Sequence, residues 1–216
     1  MVKFFVNILM FFITSHLIYS QNIQIHYDFG KDRNYITTTF EMFKPDEWGS
    51  TFWFIDLDFN NEKNKSISLS YIELARYFKI SGFDLFQPSL QYNDGVAPWG
   101  RLGPAWLIGI HRTFDFIYFR INADVLFRSD YLSDGKDIQF TLTWFEPFFD
   151  RFLFTGFFDV WSFGENTKYF ILLTEPQIWM KIWRNFSIGT EIEISNNFIG
   201  KNLFRVCPTI ALKWNF

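Results

Sequence analysis

The chain has 216 residues, 23% of them aromatic (31 Phe, 9 Tyr and 9 Trp), a net charge of −3 and a mean hydropathy of +0.00. So many aromatics exclude disorder, and without a Gly repeat or a sustained heptad the chain is neither collagen-like nor a coiled coil. Beyond residue 20 no run of about 18 apolar residues occurs, which excludes a polytopic helical membrane protein, and no Lys/Arg cluster offers a footprint for a nucleic-acid polymer.

Residues 1–20 read as an export signal. Lys3 supplies the positive start, Phe4 to Ile13 the apolar stretch broken by Asn7, and Ser20 the small residue before the cut. The mature chain is expected to begin near Gln21, with residues 21–216 forming one domain. Cys207 is the lone cysteine, so no internal disulfide is available.

From there apolar and polar residues alternate with period two, broken by turn-rich clusters, which is the signature of strands and hairpins. Ile23, Ile25, Tyr27 and Phe29 alternate with Gln24, His26 and Asp28. After a turn at 30–34, Ile36, Thr38, Phe40 and Met42 oppose Thr37, Thr39 and Glu41. Trp53, Ile55, Leu57 and Phe59 oppose Phe54, Asp56 and Asp58. In the fourth run Ile67, Leu69 and Tyr71 stand against Ser66, Ser68 and Ser70, and the run continues through Glu73 and Arg76. The fifth sets Phe86, Pro88, Leu90 and Tyr92 against Gln87, Ser89, Gln91 and Asn93, ahead of the longest loop, 93–104. A weak sixth run spans 105–112. The seventh sets Ile117, Phe119, Ile121, Ala123, Val125 and Phe127 against Tyr118, Arg120, Asn122 and Asp124. Ile138 to Trp144, Phe154 to Trp161, Phe170 to Trp179, Ile188 to Ser195 and Phe204 to Phe216 complete the series.

This pattern predicts an all-β fold, a transmembrane antiparallel β-barrel of about twelve strands, each near the ~9–11 residues that cross an outer membrane at a tilt. A soluble lipocalin-like barrel shares the alternation. The membrane is favoured because nearly every strand carries large aromatics, and because Trp48, Trp53, Tyr71, Tyr77, Tyr92, Trp144 and Trp214 lie near strand ends like interfacial girdles. Pro88, Pro176 and Pro208 each delete a ladder donor, so a distortion is expected at each. With both termini in the periplasm, the longer loops fall outside the cell, as outer-membrane barrels prefer.

If the apolar faces meet lipid, the alternate faces line a lumen. That lining is expected to include His26, Asp28, Glu41, Phe54, Asp56, Asp58, Glu73, Arg76, Tyr118, Arg120, Asp124, Phe157, Asp159, Glu175, Gln177, Glu191 and Arg205. Acids outnumber bases in this set. Aromatic faces beside carboxylates and amides suit a planar, polar, uncharged solute, and base–aromatic stacking contributes about 1–3 kcal/mol. The competing reading is a charged network that plugs the barrel, since small barrels are often filled by side chains. A third reading, an outer-membrane lipid-modifying enzyme, is disfavoured: no Gly-x-Ser-x-Gly elbow occurs, and His26 two residues from Asp28 lacks a nucleophile to complete a triad. No zinc or calcium pattern is visible, and no cofactor is implied.

The stretches Gln24-Ile-His-Tyr-Asp-Phe29, Thr39-Phe-Glu-Met-Phe43, Thr174-Glu-Pro-Gln-Ile-Trp179 and Lys213-Trp-Asn-Phe216 resemble an uncharacterised family of Bacteroidetes outer-membrane proteins related to the nucleoside-specific (Tsx-like) channels. The resemblance implies a narrow twelve-stranded barrel in the outer membrane that passes small solutes. The terminal Phe216 in an alternating strand resembles the signal read by the barrel assembly machinery. Outer-membrane lipid, a small-molecule solute and that machinery are thus the expected partners. Intact-mass measurement of protein recovered from the membrane should give a chain beginning near Gln21, and retention of Phe4 to Ile13 would contradict the signal reading.

Overall fold

The computed structural model describes residues 20–60, 66–82, 85–165 and 167–216. The expected export signal falls almost wholly outside these residues, as does most of the polar loop 60–65. The described chain is built of antiparallel strands: β1 (Ser20–Asp28), β2 (Ile36–Asp46), β3 (Gly49–Phe59), β4 (Leu69–Phe78), β5 (Gln87–Ala97), β6 (Gly100–Arg101), β7 (Ala105–Asp115), β8 (Arg120–Asp130), β9 (Asp137–Phe148), β10 (Phe152–Phe163), β11 (Tyr169–Thr174), β12 (Gln177–Trp183), β13 (Phe186–Asn196) and β14 (Phe204–Asn215).

Neighbours in sequence pair in space, and β14 pairs back onto β1, with Trp214 opposite Ile23 and Ala211 opposite His26. The sheet therefore closes. The Phe216 amide completes the seam by donating to the Gln21 carbonyl at 2.9 Å. β6 is a two-residue hairpin off the end of β5, and β11 and β12 are two halves of one strand, so twelve strands ring the barrel. No described helix is long and apolar enough to cross a membrane.

The outer face is almost entirely apolar. Ile25, Phe40, Leu90, Trp106, Ile108, Val125, Phe127, Ile138, Phe170 and Ile210 stand exposed on it, alternating with buried polar neighbours on the same strands. An apolar band of this extent is stable only against hydrocarbon, and a sheet can enter hydrocarbon only when closed, because unpaired backbone N–H and C=O groups have no water there. Trp53 and Trp214 lie on this face, as do Tyr92, whose ring sits 4.7 Å from that of Trp106, and Trp144, 5.5 Å from Phe154.

Of the three strand prolines, one breaks its strand. β10 pairs with β11 up to Thr174 and resumes with β12 at Gln177 in the same register, so Glu175–Pro176 is a local break rather than a slip. The freed groups are re-used: Glu175 N–H donates to the Phe157 carbonyl at 3.2 Å, and Ile192 N–H to the Pro176 carbonyl at 3.1 Å. Pro88 lies beyond the last β4–β5 pair at Ser89, so no distortion occurs there. At Pro208 the β13–β14 register holds but the ladder is interrupted, with Thr190 and Glu191 left out of the pairing and Thr190 Oγ1 donating instead to the Thr209 carbonyl at 2.6 Å. The loop expected at 93–104 is shorter, because β5 runs on to Ala97 and turns through β6, with Trp99 70% exposed at the tip. The weak run at 105–112 is a full strand, β7.

Gly156 lies against the break with φ +149, and a Cβ there would come 2.6 Å from the Glu175 carbonyl oxygen and 3.0 Å from Pro176 Cα. Gly156→Ala is therefore expected to cost about 1–3 kcal/mol through backbone overpacking. Urea unfolding of the detergent-folded barrel, followed by Trp fluorescence, would show the loss, and an unchanged midpoint would contradict the tight approach.

Candidate functional site

The candidate site is the lumen. It is built by side chains two residues apart, which share a face of a strand and stand close enough for long polar groups to bridge. On β1, Gln24 donates to Asn22 at 2.9 Å and faces His26 Nε2 at 3.0 Å. The same spacing joins Tyr71 to Glu73 at 2.6 Å, Gln91 to Ser89 at 3.0 Å, Gln139 to Thr141 at 3.0 Å, Trp179 to Gln177 at 2.8 Å and Ser195 to Glu193 at 2.9 Å. Cross-strand bonds tie the rows together: Asn22 donates to Glu41 at 2.9 Å, Asn93 to Glu73 at 2.9 Å and Gln177 to Glu191 at 2.5 Å.

The filling is uneven around the ring. From β7 through β9 the inward residues Ala105, Leu107, His111, Asp124, Leu126, Arg128, Asp137, Gln139 and Thr141 are buried, and so are Asn22, Gln24, His26 and Asp28 on β1 with Cys207, Thr209, Ala211 and Lys213 on β14. Between these flanks two walls stay half-exposed. One is Thr37, Thr39, Glu41, Phe54, Asp56, Asp58, Tyr71 and Glu73 on β2–β4, and the other is Phe157, Glu175, Gln177 and Glu191 on β10–β13. In a ring of this strand order β3 stands opposite β10, so the walls face each other across a slit.

Each lumen base is held by specific partners. Arg128 donates to Asp130 and to Gln139, both at 2.7 Å, and its guanidinium lies 5.1 Å from the Trp161 ring centre. Lys213 Nζ sits 4.0 Å from the Trp179 ring centre. His111 is 3.0 Å from Asp124, with the Tyr77 ring 4.2 Å away. Arg33 comes from the turn between β1 and β2 and reaches inward to Asp28 at 2.9 Å and Glu193 at 2.7 Å. The slit carboxylates instead have neutral donors: Thr39 on Asp56 at 2.5 Å and Thr37 on Asp58 at 2.7 Å. Asp159 keeps one carboxylate oxygen, and Trp161 its indole N–H, without a hydrogen-bond partner among the described residues. Above this end of the barrel Lys168 binds Asp134 and Asp137, joining two loops, and holds the exposed Asp134 carboxyl below the usual carboxylate range.

The sequence-expected lining divides three ways. Glu41, Phe54, Asp56, Asp58, Glu73, Phe157, Glu175, Gln177 and Glu191 line the slit, while His26, Asp28, Asp124 and Asp159 are buried in its flanks, and Arg205 sits at the rim with its guanidinium on the Lys31 carbonyl. Three residues are corrections. Arg76 points outward to Asp46 at 2.6 Å, because β4 turns Tyr71, Glu73, Ala75 and Tyr77 inward and Arg76 has the opposite parity. Tyr118 is 90% exposed in the turn after β7 rather than on a strand. Arg120 stands at the mouth, paired with Asp115 and well exposed. Nor do His26 and Asp28 pair. His26 Nδ1 meets Thr209 at 3.1 Å, and Asp28 holds Arg33. Among the described residues no group of three His, Cys, Asp or Glu side chains is arranged to hold a metal.

Residues the sequence reading missed are Arg33, Tyr71 and Tyr77. Arg33 lies in a turn, where strand parity gives no signal. Tyr71 shares the parity of Glu73, and that relation was the available clue.

A family model described as "Domain of unknown function (DUF5020)" matches residues 20–216. The chain belongs to the DUF5020 family. No curated protein matches it. Among solved structures it is similar to the NanC porin, with a TM-score of 0.59 at 10% identity, covering 91% of this chain and 100% of that one. It is similar also to the KdgM porin, with a TM-score of 0.52 at 6% identity, covering 90% of this chain and 99% of that one. A KdgM porin in complex with disordered oligogalacturonate aligns equally, with a TM-score of 0.52 at 7% identity, covering 91% of this chain and 99% of that one. At these identities the likeness is one of fold, that of outer-membrane porins.

Arg33 is 17% exposed and is the counter-charge of two largely buried carboxylates. Arg33→Ala should destabilise the barrel by about 2–3 kcal/mol, somewhat below the cost of breaking a fully buried pair. Arg33→Lys, which keeps the charge and loses the fork, should fall between. Chemical unfolding in detergent measures the series, and equal midpoints for all three would sink the assignment.

Proposed function

We propose that this DUF5020 protein is a channel in the outer membrane for passive uptake of small polar uncharged solutes, nucleoside-like compounds among them. The observation that carries the reading is the slit. Its two walls are the half-exposed part of an otherwise side-chain-filled lumen, and both present carboxylates beside an aromatic ring: Phe54 and Tyr71 with Asp56 and Glu73 on one wall, Phe157 with Glu175 and Glu191 on the other. A planar ring held edge-on between Phe54, Tyr71 and Phe157 finds stacking surface. Its hydroxyl or amino groups find carboxylate acceptors, and Gln177 is an amide partner at the same level.

The sign of the slit sets selectivity. Carboxylates with neutral donors rather than bases leave the passage acidic, and in a narrow lumen facing charges lie within the ~8 Å screening length of physiological salt. Anions are thus disfavoured. Oligogalacturonate, seen with the KdgM porin, is an acidic sugar polymer, and this lining opposes such a ligand. The resemblance to Tsx-like barrels and to the Bacteroidetes family supports the nucleoside-like reading. An export signal in residues 1–20 and the closed barrel support residence in the cell outer membrane, and Phe216 is proposed as the residue read by the assembly machinery.

A second reading rests on a specific observation. Gln24, Asp137, Ala105 and Leu107 have no exposed surface, so much of the lumen is solid. A structural barrel with a plugged lumen would follow if the slit did not run through.

Planar-bilayer recording of the refolded protein separates the two. The channel reading expects conductance that prefers cations over chloride in a salt gradient, with nucleosides passing or blocking and nucleotides excluded. Asp56→Asn with Glu175→Gln and Glu191→Gln should remove most of the cation preference. A sealed barrel would give no conductance, and equal permeation of nucleosides and nucleotides would end the selectivity proposal.

A further inference from the structure

One charged side chain on the apolar outer face has no acidic partner among the described residues. Arg112 lies on β7 at an outward position, three residues before the strand ends at Asp115, toward the end of the barrel that carries both termini. Its guanidinium stands 5.3 Å from the Phe86 ring centre and 4.8 Å from that of Phe114. Among the described residues no Asp or Glu pairs with it, whereas Arg76, the outward arginine of β4, is neutralised by Asp46 at 2.6 Å. Beside Arg112 the wall is notched. Its cross-strand neighbour is Ala123, and the small side chain leaves a groove of about 410 Å³ bounded by Ile110, Phe114, Phe140 and Leu142.

A bare cation against hydrocarbon destabilises a barrel in a depth-dependent way, less toward the interface than at mid-membrane. Its two ring contacts orient the guanidinium, and no acceptor among the described residues takes its N–H donors. The group that completes it must be anionic, planar in its demand for two donors, and joined to an apolar tail that fills the notch. Short turns and both termini mark this end as the periplasmic one, and that leaflet is phospholipid.

We propose that the Arg112 groove is a binding site for one phospholipid of the inner leaflet. The phosphate takes the guanidinium fork, and the first part of an acyl chain lies over Ala123 between Phe114 and Leu142. The guanidinium is suited to this by its bidentate match to phosphate oxygens. The site lies outside the lumen and does not depend on what the slit conducts.

Native mass spectrometry of the folded full barrel tests it, with phosphatidylglycerol, uncharged diacylglycerol, lipid A and inorganic phosphate added in separate arms. Wild-type protein should retain one phosphatidylglycerol, while diacylglycerol and inorganic phosphate are lost. Arg112→Gln should weaken retention about tenfold, the size of one charged hydrogen-bonded contact. Ala123→Leu, which fills the notch and keeps the arginine, should weaken it as well. Heat-modifiable migration on a detergent gel shows which variants are folded, and if Arg112→Gln is not, Ala123→Leu and the headgroup comparison on wild type decide. Equal retention of diacylglycerol, preferential retention of lipid A, or retention unchanged in the folded variants overturns the proposal.

Discussion

Hydrocarbon offers no hydrogen bonds, and most of this structure follows from that. A backbone entering the membrane must pair every N–H and C=O internally, so the sheet closes through β14 and β1 and leaves no free edge. Closure gives each strand an outer and an inner face, and side-chain parity becomes the rule for everything else. Ile23, Ile25 and Tyr27 meet lipid because Asn22, Gln24 and His26 cannot. Where the ladder is interrupted at Glu175–Pro176, its neighbours absorb the break. Gly156 makes room for the carbonyl, and β13 accepts the displaced pairing.

The inner face then faces a different electrostatic problem. Charges confined in a low-dielectric ring must be paired or hydrogen-bonded. The protein meets this with bonds between side chains two apart on one strand, cross-linked between strands, and with bases that each hold an acid, an amide or an aromatic ring. What remains after that pairing is a set of acids served by threonine hydroxyls and glutamine. These line the half-exposed slit, so its walls are acidic because the buried flanks hold the bases.

Period-two alternation was legible wherever both faces kept their chemistry, and β1, β3, β8 and β14 follow it residue for residue. It misled in β4. Ser66, Ser68 and Ser70 read as the polar, inward face, yet Ser70 points outward and Tyr71 inward. A serine is small and weakly polar enough to be tolerated at a membrane surface near its edge, so it carries little information about phase. Glu73 and Arg76 could not both face inward without a bulge, and their three-residue spacing held that answer. Turn residues were outside the reach of any periodicity. Tyr118 looked like a strand residue and lies in a turn, while Arg33, itself in a turn, reaches inward to Asp28 and Glu193.

Local pattern, then, was sufficient for strand number, for the antiparallel ring and for most of the division between lipid side and lumen side, because these depend on parity along a single strand. The partners met across the lumen were not so encoded. Arg33 reaches Glu193 and Lys213 lies over Trp179, contacts between residues far apart in the chain. Their heights are set by the stagger accumulated around the closed ring, a property of the whole barrel. The groove at Arg112 is of the same kind, formed where three strands bring a small residue, two rings and a charge to one place on the wall.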